Sequence, residues 1–180
     1  DAYHFDVVVH ERRAPSPFSS KITRPQMQAL LDDFGSEVSP MVIGTLNEKW
    51  NPYALVMGGE PTFAGRMALV SGRPMVAGNG EALLGELGAQ RLGLQAGARI
   101  PLGDKTYLVT GIFRTPQRIV PIFIPLHIGA EMMVKGGQID YLGITTPDAL
   151  QVGRYRDAVE RALPEHWTCD TWRERNRAYF

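Results

Sequence analysis

The sequence predicts an α+β fold in two lobes, and three observations carry that prediction. Each end of the chain reads strand and helix by turns, while the middle runs strand after strand with only short helices between. Glycines crowd into one stretch, GNGEALLGELGAQRLGLQAG (residues 78–97), which divides it into tight turns. At 180 residues there is enough chain to bury a real core. The pattern places an α+β lobe at 1–64 and 126–180, built from both ends, and a smaller, mostly β lobe inserted at 65–125. Both termini then lie on the first lobe.

The elements follow in order. YHFDVVVH (3–10) alternates and is β-branched, so it reads as a strand, and ERRAPSPFSSKITRP is a Pro- and Ser-rich loop. Thr23 as N-cap, Pro25 in the first turn and Met27, Leu30, Leu31 and Phe34 at helical spacing predict a helix closed by Gly35. Strands are expected at Glu37–Leu46 and Tyr53–Met57, with NEKWN as the turn. MALVSGRP leads into the glycine-rich stretch, where Glu81–Leu84 reads as a short strand and Gly85–Leu92 as a short helix. Arg99–Leu102 and Thr106–Phe113 form a hairpin about Gly103-Asp104-Lys105. The run IVPIFIPL (119–126) holds two prolines and is expected at a sheet edge or as an irregular crossing. GAEMMVKGG reads as a turn or two of helix, and IDYLGITT (139–146) as a strand. Pro147-Asp148 opens a helix with Leu150, Tyr155, Val159 and Leu163 facing inward, ended by Pro164; HWTCDT is a last short strand before the basic tail WRERNRAYF.

Composition narrows the function. Lys plus Arg and Asp plus Glu number 19 each, so no overall field draws the chain to nucleic acid. The single cysteine, Cys169, cannot close an internal disulfide, and no apolar run is long enough to span a bilayer. The start at Asp1, without a charged-then-apolar leader, points to a mature or excised fragment.

Local motifs for chemistry fail one by one. A dinucleotide loop needs a third glycine where Leu83 stands after Gly78 and Gly80, and no Gly-Lys-Ser/Thr ending supplies a Walker loop. His10-Glu11-Arg12-Arg13-Ala14 lacks the second histidine of a zinc motif, and His4, His127 and His166 fall in unrelated segments. Neither G-x-S-x-G nor S-x-x-K occurs. On a strand, Cys169 and His166 point to opposite faces, so a buried thiol is expected rather than a nucleophile. The expectation is therefore no catalytic, cofactor or metal residues, with a hydrolase whose site assembles only in three dimensions as one alternative. A stand-alone periplasmic ligand-binding or envelope-assembly protein is the other.

The stretches YHFDVVVHERRAPSPF, VSPMVIGTL, YALVMGGEPTF and MALVSGRPM, then GEALLGELGAQRLGLQAGARIPLGDKTYLVTGIF, whose glycines and apolar residues hold register over more than thirty positions, and finally WTCDTWRERNRAYF follow one another in order. Together they resemble the periplasmic domain of ABC-transporter permeases of the MacB/FtsX type. The resemblance implies a porter-like α/β sandwich with the smaller β lobe inserted. It also implies a location on the periplasmic side of the bacterial inner membrane and a separate cytoplasmic ATPase subunit, reached through membrane helices outside this chain. A periplasmic adaptor, a lipoprotein or a hydrophobic compound is the implied partner or cargo. The isolated domain is then expected to be monomeric and the full permease dimeric.

Two surfaces follow. Trp172, Arg173, Tyr179 and Phe180 interleave aromatic and basic groups as an interfacial segment does, and the resemblance makes them membrane-proximal. Phe123, Met132 and Met133 form an apolar cluster suited to varied greasy partners, with Phe18 in the early loop as a further contact.

Overall fold

The computed structural model describes residues 5–16, 19–34, 38–76, 78, 80–114, 121–146 and 148–175, with the side chains at 33, 34, 52, 149, 172 and 175 outside that description. The fold is mixed α/β, mostly strand with few and short helices. Two compact units emerge, one of residues 42–136 and one of the described residues up to Met41 together with those from Gly137 onward. The segment 65–125, expected as an inserted lobe, lies within the first of these.

In the terminal unit β1 (Val7–Glu11) is flanked on both sides, by β10 (Trp167–Thr171) and by β9 (Tyr141–Ile144), each antiparallel. The first residues of β2 (Val38–Glu48) pair antiparallel with the other side of β9. A strand covered on both faces needs apolar residues without alternation, and Val7, Val8 and Val9 are all buried. Helix α1 (Arg24–Phe34) begins as predicted at Thr23. Gln26 Oε1 accepts from the Thr23 backbone N–H (2.9 Å) and from its hydroxyl (2.7 Å), which satisfies a donor the helix itself leaves open.

The second helix of this unit departs from its sequence reading. Asp148 accepts from the Leu150 N–H and the Gln151 amide, which turns the chain into a 3₁₀ turn over Ala149–Gln151 before α5 (Val152–Ala162) starts. Leu150 therefore stands 96% exposed rather than facing inward, and Val159 is the fully buried residue of the stripe.

In the unit of residues 42–136 the strand order is β2, β3 (Asn51–Gly59), β8 (Pro121–Pro125), β5 (Glu81–Gly85), β7 (Lys105–Phe113) and β4 (Leu69–Gly72), with β6 (Arg99–Leu102) also on β7. β8 runs parallel to β3 and antiparallel to β5, so it is a central strand, against the expectation of an edge or a crossing. The reason is placement: Pro121 and Pro125 are its first and last residues, so the missing N–H groups fall at its ends. Between them Ile122, Phe123 and Ile124 keep their donors and are fully buried.

Short helices close this unit: α2 (Pro61–Ala64), α3 (Glu86–Leu92) and α4 (Leu126–Met132). α4 starts directly after β8, earlier than the sequence suggested, and lies on β3 through glycines. A Cβ at Gly129 would stand 3.1 Å from the Gly58 Cα and 2.8 Å from Val42 Cγ2, so neither strand nor helix has room for a side chain there. The glycine-rich stretch behaves as punctuation at Gly93 and Gly97, with φ of +63° and +94°. Gly85 and Gly88 have other roles, the first as N-cap of α3 in extended conformation and the second as a buried helix residue.

Candidate functional surfaces

In the terminal unit β1 and β10 lie side by side, with Val7 opposite Thr171. At that point β10 passes into α6 (Trp172–Arg175) through a reciprocal cap. Glu174 accepts from the Thr171 N–H (2.8 Å) and hydroxyl (2.9 Å), while the Glu174 N–H donates to Thr171 Oγ1 (3.2 Å). The other carboxylate oxygen of Glu174 takes Arg156 Nη2 of α5 at 2.7 Å. Burial pushes the Glu174 carboxyl up, but the bonds from Thr171 and the Arg156 charge outweigh it, and the net shift is downward.

A second carboxylate braces the opposite end of the same strands. Glu160 of α5 accepts from Arg12 Nη2 (2.8 Å) and from the Cys169 N–H (2.8 Å). Arg12 also donates to the Glu165 and Trp167 carbonyls. Burial raises the Glu160 carboxyl, and the hydrogen bonds from Cys169, Arg12 and Thr168 reverse that to a net lowering. Next to it, His10 Nδ1 faces the Glu11 carbonyl and Nε2 faces Asp170 Oδ2, each at 2.9 Å. Arg12, a loop side chain in the sequence reading, thus ties the end of β1 to α5 and β10.

Cys169 is buried, and burial first, then Glu160, pushes its thiol well above the ordinary range. A thiol held protonated is a poor nucleophile, and His166 is exposed. Among the described residues no three or more His, Cys, Asp or Glu side chains gather as a metal site requires. No helix among them is long and apolar enough to cross a membrane.

Of the residues expected at the two surfaces, Arg173, Phe123, Met132 and Met133 have described side chains. Arg173 is exposed on α6, the side chain of Trp172 is outside the described set, and Tyr179 and Phe180 lie outside the described residues altogether. Phe123 sits at the centre of β8 with no exposure, its ring 5.6 Å from that of Phe63. It is a core side chain, because the fully paired strand carries it inward. Met132, the last residue of α4, and Met133, just beyond it, are partly buried against the core cluster of Val56, Ile100 and Leu102, and Met133 fills the space a side chain at Gly44 would need. Phe18 lies outside the described residues. Sequence reading missed Arg156, Glu160 and Glu174; the spacing Thr171-x-x-Glu174 is a capping-box signal, whereas the Arg156 partnership spans 18 residues and has no local sign.

The described residues thus form mixed α/β units in which β1 and β10 are hydrogen-bonded neighbours. The chain belongs to the family of MacB-like periplasmic core domains, whose pattern it matches over residues 5–162. Its fold is similar to that of the periplasmic region of MacB from Actinobacillus actinomycetemcomitans (TM-score 0.69, 12% identity, 96% of this chain and 91% of that one). It is also similar to the extracellular domain of the noncanonic ABC-type transporter YknZ from Gram-positive bacteria (TM-score 0.65, 12% identity, 93% and 100%). No curated protein sequence matches the chain.

Proposed function

We propose that this domain is the extracytoplasmic part of an ABC-transporter permease and carries ATP-driven movement to a cargo or partner in the periplasm. The observation that carries the reading is the pairing of β1 with β10 within a chain of this family. Two hydrogen-bonded neighbouring strands move together, with little slack to absorb a motion applied to either. The Thr171–Glu174–Arg156 cap serves the same end, since it fixes the exit direction of α6 against α5. In this reading ATP is hydrolysed by a separate cytoplasmic subunit and the domain itself is non-catalytic. Trp172, Arg173, Tyr179 and Phe180 form the membrane-proximal coupling segment. Met132 and Met133 offer the apolar contact to an adaptor, a lipoprotein or a hydrophobic cargo, and the full permease works as a dimer.

The location is tested with a cysteine at Tyr53, which is 78% exposed, in the full-length protein. A membrane-impermeant maleimide should label Tyr53→Cys in intact spheroplasts. Labelling only after lysis would contradict the reading.

A further inference from the structure

The end of the terminal unit's sheet that bears α6 also bears Leu150, the most exposed large apolar side chain among the described residues. β1 begins at that end with Val7, opposite Ile144 at the end of β9 and Thr171 at the end of β10. The chain leaving β9 is fastened there, since the Thr146 N–H (2.7 Å) and hydroxyl (3.0 Å) both donate to Asp6. Asp148 then accepts from the Leu150 N–H and the Gln151 amide, each at 2.9 Å, so a hydrogen-bonded turn holds Leu150 outward. From this turn α5 runs back beside β10, where the Cys169 thiol meets the Arg156 carbonyl at 3.5 Å.

A single exposed leucine is ordinary on a protein surface, and the charges around this one carry the argument further. Arg154 is exposed in the first turn of α5, where the helix dipole favours an acid, so its charge does nothing for its own helix. Arg173 is exposed on α6 at the same end. Among the described residues neither arginine has an ion pair, whereas the acids nearby are used internally: Asp6 by Thr146, Asp148 by the turn, and Asp157 by Arg156. An apolar tip with uncommitted guanidinium groups suits an anionic bilayer surface, because leucine enters the acyl boundary while arginine bonds lipid phosphates. We infer that Leu150, Arg154 and Arg173 dock this end of the domain on the outer leaflet of the membrane, with Leu150 in the acyl boundary and the two guanidinium groups on phospholipid phosphates. The inference rests on the proposed membrane-proximal position of α6 and deepens it. So small a contact holds a free domain weakly and becomes effective when membrane helices keep the domain close.

The test places the fluorophore NBD on Leu150→Cys and, separately, on Arg13→Cys in the full-length permease freed of other accessible cysteines. Arg13 is exposed beyond the opposite end of β1, and Cys169 is buried and should stay unlabelled. The protein is reconstituted in vesicles of POPE and POPG in equal parts, with a lipid spin-labelled near the top of its acyl chain as quencher. Quenching is expected to be about threefold stronger at Leu150→Cys than at Arg13→Cys. Replacing POPG by POPC should roughly halve it, and that dependence should vanish when Arg154→Gln and Arg173→Gln are combined. Equal quenching at the two sites, or quenching indifferent to POPG, would overturn the inference. So would a blue-shifted label at Leu150→Cys that the lipid quencher does not reach, since protein would then cover it. Those results leave the transporter reading standing, because spheroplast labelling of Tyr53→Cys tests that separately.

Discussion

Val134 follows α4 at the position where helices commonly place glycine, with φ at +54° and 89% of its surface exposed. Its N–H donates to the Glu131 carbonyl at 3.0 Å, and that of Lys135 to Ala130 at 2.9 Å, so the helix closes properly around a strained residue. A left-handed conformation costs a side-chain-bearing residue about 1–2 kcal/mol, and glycine's greater freedom in the unfolded chain takes back part of that. Val134→Gly is therefore expected to stabilise the domain by about 0.5–1 kcal/mol, read as a rise in the urea midpoint. A fall in the midpoint would contradict the strain assignment. The reverse logic holds at Gly143, where a Cβ would run into the Phe5 ring. Gly143→Ala should cost about 1–3 kcal/mol in the same assay, because a ring packed in the core cannot swing aside.

At the scale of elements, the two carboxylates on and beside α5 contribute to the acid limit of the fold. Glu160 and Glu174 both have folded-state pKa values below the ordinary one. A group shifted downward contributes stability that is present above its unfolded value of about 4.3 and is lost as pH falls through the folded value. Unfolding free energy should thus decline below about pH 4.5, and Glu160→Gln should flatten that decline. An unchanged acid slope in that variant would remove Glu160 from the account. Thr171→Ala, which breaks the reciprocal cap on α6, should cost about 1 kcal/mol.

Much of this layer was legible in the sequence. Thr23 with its helix, the β6–β7 hairpin about Gly103 and the strand before α3 stand where local rules place them, since turn chemistry and capping act over a few residues. What local rules could not see was which strand lies in the centre. Two prolines in a run of eight argue for an edge, yet their position at the two ends of β8 leaves its middle able to pair on both sides. The same blindness made Phe123 a surface candidate, because an apolar cluster reads alike in a core and on a binding face. The Arg12–Glu160 and Arg156–Glu174 pairs are partnerships of tertiary structure, and only the capping spacing at Thr171 announced any part of them.

For the whole molecule, the central claim is that nucleotide turnover on the far side of a membrane moves this domain. It is tested most directly by spin-labelling Tyr53→Cys in the full-length permease, purified with its ATPase. Cys169, being buried, should stay unlabelled. Electron–electron distances between the two copies of the proposed dimer, measured without nucleotide and with ATP and vanadate, should shift by several ångströms. Identical distance distributions in the two states would contradict the account.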